Sequence, residues 1–172
     1  MRLAAAAALL LTTNFPVLAQ GLDSLEDAMA KMPETVLSNP AAVQFNFVDV
    51  AALHALAGAE GLNPTVLTRA MIGGTLPPYN ALQLRGAEAW NEKSFVDLGD
   101  LRYFAGFGDA PKTITIWGLE NKDAAASLIS ALDAAEFDAV SPEGVIGNGE
   151  PLAMDHTKMD PADPWRSRVG AA

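Results

Sequence analysis

The stretch from Leu101 to Trp117 constrains the fold more than any other part of the chain. Leu101 to Phe107 is rich in aromatic residues, and Thr113-Ile114-Thr115-Ile116-Trp117 alternates, the period of a strand with two different faces. Between them, Gly108-Asp109-Ala110-Pro111 has the residues of a turn. Two strands so joined form an antiparallel hairpin. Upstream, Val43-Gln44-Phe45-Asn46-Phe47-Val48 alternates in the same way and predicts a further strand.

Helical signals surround these strands. Leu22, Leu25, Met29 and Met32 recur at helical spacing in a short segment that Pro33 ends. Asp49 stands where an N-cap belongs, ahead of Val50 to Ala57, and Gly58 and Gly61 close that helix. Another short helix is predicted from Asn63-Pro64 to Ile72, and a longer one from Tyr79 to Lys93, weakened at Gly86. The clearest places Ala125, Leu128, Ile129, Leu132 and Ala135 on one face, with Asp123 as its expected cap. Val145-Ile146 and Leu152-Ala153-Met154 flank Gly147-Asn148-Gly149-Glu150, which predicts a closing hairpin.

Strand, strand, helix, strand is half of a split βαβ arrangement. The expected class is α+β: a small antiparallel sheet, ferredoxin-like or of the split βαβ type, with helices packed mainly on one face. Phe47 to Gly58 matches Phe95 to Gly106 at six of twelve positions without a gap. A duplication would require both stretches to fold alike. The local patterns instead assign a helix to Val50–Ala57 and a strand to Leu101–Phe107, which favours chance similarity.

The N-terminus has the order of an export signal: Arg2, the apolar run Leu3 to Leu11, then Val17 and Ala19 as small or aliphatic residues before a cut. The apolar run is too short for a membrane span, which takes about 20 residues. The expected organisation is a cleaved signal over 1–19, an N-terminal helix and linker over 20–42, one globular domain over 43–154 and a polar tail over 155–172. That places the mature protein in the periplasm or outside the cell, with no membrane anchor after cleavage.

The chain has no cysteine, so thiol catalysis, zinc–thiolate sites and iron–sulfur clusters are excluded, and the fold must stand without disulfides. Its 21 Asp and Glu against 11 Lys and Arg give a net charge of −10. Nucleic acid is a poor partner for such a chain, because binding it depends on basic side chains neutralising phosphates. The acids are scattered rather than in blocks, as solubility requires.

Chemistry-bearing motifs are sparse. His54 sits among apolar neighbours, no HExxH or G-x-S-x-G is present, and the glycine pairs at 106/108 and 147/149 lack phosphate-loop spacing. The carboxylate pairs Glu88/Glu92 and Asp97/Asp100 read as helix faces and caps. Met154, His156 and Met159 combine thioether and imidazole ligands of the kind that suits copper, although Lys158 puts a positive charge among them. No other cofactor is implied.

Aromatic residues point to contact rather than catalysis. Tyr103 and Phe107 share one face of the predicted hairpin, and Trp117 lies on its second strand. If helices cover one face only, rings on the other are open to a partner. Trp165 and Arg166 in the tail are residue types that anchor interfaces, or that fold back on the chain's own body. The expected function is an exported, non-enzymatic accessory or binding protein that contacts a protein partner or small ligand through Tyr103, Phe107, Trp117, Trp165 and Arg166. A small enzyme assembled from dispersed residues and a copper-binding protein are the alternatives.

Overall fold

The computed structural model describes residues 15–38, 44–70, 76–109, 112–135, 137–140, 145–147, 157, 160 and 163–165. Helix α1 (Phe15–Ala30) and the single turn α2 (Glu34–Leu37) precede strand β1 (Gln44–Asp49). Helices α3 (Val50–Ala57), α4 (Pro64–Ala70) and α5 (Pro77–Ser94) connect it to β2 (Leu101–Asp109) and β3 (Lys112–Leu119). Helix α6 (Lys122–Ala134) and the short strands β4 (Asp138–Val140) and β5 (Val145–Gly147) follow. Among the described residues no helix is long and apolar enough to cross a membrane.

The α+β class and the hairpin are both present. β2 pairs antiparallel with β3, β1 adds antiparallel to the other edge of β2, and the strand order is β1-β2-β3. The helical connection thus links two neighbouring antiparallel strands. A register shift between Leu101 and Tyr103 marks a bulge at the start of β2.

Side-chain alternation divides the sheet into two faces. Val48, Leu101, Phe104, Trp117 and Leu119 point toward α3, α4, α5 and α6, where Leu53, Leu67, Tyr79, Leu82, Trp90, Leu128 and Leu132 complete the main core. Phe45, Phe47, Tyr103, Ala105 and Ile116 point the other way and pack with Ala28 of α1. Most helices therefore lie on one face, and α1 covers the second.

Local signals set most element ends. The Asp49 carboxylate accepts from the Ala52 amide at 2.8 Å, the expected cap of α3. Asn63 Oδ1 accepts from the amides of Thr65 and Val66 and starts α4. Gly86 takes φ 81°, ψ 175° and breaks α5 into two helical parts. One expectation needs correction. Asn121, not Asp123, caps α6, its side chain accepting from the Ala124 amide at 2.9 Å, because Asp123 already lies inside the first turn. β5 pairs with β4; Leu152 to Met154, the segment expected to pair with it, lies outside the described residues.

The internal match is not a structural repeat, since α3 and β2 are different elements. What the two stretches share is a cap. Asp97, like Asp49, accepts a backbone hydrogen bond just after a Phe-Val pair, here from the Gly99 amide at 2.7 Å.

Candidate functional site

Tyr103 and Phe107 do not form an open aromatic face. Tyr103 is fully buried and Phe107 nearly so, on the face that α1 covers. The Tyr103 ring leans on Gly118, where a Cβ would come within 2.2 Å of it, and lies 5.5 Å from the Phe47 ring. Its hydroxyl donates to Asp27 Oδ2 at 2.5 Å, and Lys31 Nζ reaches Asp27 Oδ1 at 2.5 Å and the hydroxyl at 3.4 Å. Burial, and then the bond to Asp27, push the Tyr103 hydroxyl above its ordinary pKa. The Lys31 and Tyr103 hydrogen bonds hold Asp27 below the usual carboxylate value.

Trp117 and Trp165 come together, but with each other. Their indoles stack at 4.3 Å and 17°, and Trp117 also stacks on Trp90 at 5.4 Å. All three tryptophans of the chain therefore form one column. Phe104 meets this column edge-on from Trp117, and Phe137 from Trp165. Trp165 Nε1 donates to the Ser94 carbonyl at 3.2 Å, and Asp160 pairs with Lys93 nearby. Asp160 and Trp165 of the tail thus pack on the body, and the indole is a packing anchor. Arg166, Met154, His156 and Met159 lie outside the described residues. His54 is exposed on α3, and Glu88 and Glu92 are exposed on α5.

Where Trp165 docks, α5 ends in an unusual way. Phe95 occupies the position after the helix that glycine commonly takes, with φ 61° and ψ 14°. For a bulky L-residue this left-handed geometry costs about 1–2 kcal/mol. The flanking residues hold it. Buried Ser94 bonds through Oγ to both the carbonyl and the amide of Val96, while Val96 and Leu98 are in the core. Asn91 Oδ1 accepts from the Leu98 amide at 3.1 Å, and Asn91 Nδ2 donates to Asp97 Oδ2 at 3.4 Å.

The result is that Phe95 is 40% exposed and lines an open cleft of about 240 Å³. Asp97 and Asp100 line it from the segment before β2, and Asn121, Asp123 and Ser127 line it from the cap and first half of α6. The Glu120 amide donates to the Asp100 carbonyl at 2.8 Å and ties the two segments together. Among the described residues three carboxylates and no basic side chain line the cleft, so it attracts positive charge, and Phe95 puts an aromatic residue in the same lining.

Sequence reasoning assigned Asp97, Asp100 and Asp123 to caps and missed Phe95, Asn121 and Ser127 as one site. The available signal was a helix whose end carries Ser-Phe-Val-Asp and no glycine. Among the described residues no group of three or more His, Cys, Asp or Glu is arranged to hold a metal ion. No family model, curated protein or solved structure matches the chain.

Proposed function

We propose that the chain is an exported, non-enzymatic accessory protein that binds a cationic segment of a protein partner, or a small cationic ligand, in the cleft beside Phe95. The export-signal order of residues 1–19 supports the location. One observation carries the rest: Phe95 is held in a left-handed backbone conformation, exposed, and lines a cleft together with Asp97, Asp100 and Asp123. Strain of this kind persists where surrounding structure enforces it, and it concentrates at sites that bind or switch. A packing role accounts for it poorly, because the residue is substantially exposed.

The partner surface differs from the aromatic face first expected. A guanidinium or ammonium group fits the lining, with its charge between the carboxylates and its flat or methylene part against the ring.

Titration with a short peptide bearing arginine and lysine tests this proposal. Asp100→Asn/Asp123→Asn, which removes two carboxylate charges, and Phe95→Gly, which removes the ring, should each weaken binding roughly tenfold or more. Glu88→Gln/Glu92→Gln removes the same charge away from the cleft and should leave binding intact. Equal loss in all three variants would reduce the interaction to net charge and overturn the assignment.

A further inference from the structure

We infer that α1 is a detachable cover over the aromatic sheet face, opening as a unit while the main core stays folded. This inference concerns the opposite face from the cleft and stands apart from the function proposed for it.

The evidence is the way α1 is turned. The spacing of Leu22, Leu25, Met29 and Met32 predicts an apolar stripe facing the core, yet Leu22 is 61% and Met29 48% exposed, with Leu25 and Met32 half-buried. Between residues 21 and 30 the fully buried positions are small, Ser24 and Ala28. A helix on the other face, α5, buries Tyr79, Leu82 and Trp90 completely. Because hydrophobic stabilisation scales with the apolar area removed from water, residues 21–30 of α1 gain far less from their contact than α5 does from its own.

Polar contacts make up the rest of the attachment. Arg102 Nη2 donates to Ser24 Oγ at 3.2 Å, and the Asp27–Lys31–Tyr103 cluster fixes the far end. The Asp27 and Lys31 side chains are nearly half exposed, so water competes for their charges and the ion pair contributes little. Few buried apolar contacts and solvent-exposed anchors are the marks of a segment that opens below the cost of global unfolding. Beneath it lie Tyr103 and Ala105, with Phe45, Phe47 and Ile116 half-buried around them, an apolar face that opening would expose.

The two tyrosines of the chain provide the test. Tyr79 and Tyr103 are both 0% exposed, one in the main core and one beneath α1. Hydroxyl-radical footprinting of the full chain under native conditions should label Tyr103 roughly tenfold faster than Tyr79, as sub-global opening requires. Asp27→Ala should raise Tyr103 labelling further, by about fivefold, and leave Tyr79 unchanged. Equal protection of the two rings, or labelling that rises equally at both in Asp27→Ala, overturns the inference.

Discussion

The indole of Trp165 lies 4.3 Å from that of Trp117, with the two planes 17° apart. This stack, with the Trp165 Nε1 bond to the Ser94 carbonyl, joins the tail segment to the end of α5. It also buttresses the backbone on which Phe95 is held. Trp165→Ala should therefore cost about 2–3 kcal/mol, combining lost aromatic burial with a lost hydrogen bond. Trp165→Phe should retain part of that. Denaturant unfolding of both variants checks the order, and a shift of under about 0.5 kcal/mol for the alanine variant would show an energetically idle stack.

Close approach, not a special dihedral, fixes the residue at 118. A Cβ added to Gly118 would sit 2.2 Å from Cε1 of Tyr103, well inside contact distance. Gly118→Ala should destabilise the protein by about 1–3 kcal/mol, the usual range for overpacking. In a Tyr103→Ala background the same change should cost markedly less. The double-mutant cycle measures that coupling, and simple additivity would contradict the packing described.

Phe95 sets stability against binding. Phe95→Gly removes the left-handed penalty of a side chain at φ 61°, so stability should rise by up to about 1 kcal/mol after glycine's extra unfolded-state entropy is counted. Affinity for the cationic peptide should fall in the same variant. A loss of stability in Phe95→Gly would instead assign the ring a packing role.

Alkaline pH should unfold the protein through Tyr79. Burial pushes its hydroxyl up to about 12, and that hydroxyl donates to the Leu67 carbonyl. The unfolded chain releases the proton near pH 10 while the folded one retains it, so this contribution is complete below pH 10 and is lost as pH rises toward 12. The loss by pH 12 is on the order of 2–3 kcal/mol. Tyr79→Phe should flatten the alkaline limb of a stability–pH curve. On the acid side the sign reverses for Asp27: its lowered value stabilises α1 above the ordinary carboxylate range, and that support fades as pH falls through the folded-state value.

Capping at α6 separates two neighbouring polar residues. Asn121→Ala should cost about 1 kcal/mol, because the Ala124 amide loses its acceptor. Asp123→Ala removes only a favourable charge in the first turn, worth about 0.3–1 kcal/mol. Thermal unfolding at low salt distinguishes the two, and raised salt should narrow only the Asp123 effect.

Sequence alone determined the parts of this protein whose causes are short-range. Alternation marked β1 and β3, aromatic richness marked β2, Asp49 and Asn63 announced α3 and α4, and Gly86 announced the break in α5. The turn residues Gly108-Asp109-Ala110-Pro111 announced the β2–β3 hairpin, because a connection so short leaves antiparallel pairing as the outcome, although Gly108 and Asp109 themselves extend β2 and pair with Thr113 and Lys112. Tertiary structure decided what those elements face. A buried phenol needs hydrogen-bond partners, and Tyr103 finds them only if α1 turns Asp27 and Lys31 toward the sheet and its leucine and methionine away. Likewise Trp165 stands 48 residues beyond Trp117, and Phe95 meets Asp123 only across a cleft. No local pattern encodes such meetings, because they follow from how far apart the sheet and the helices pack.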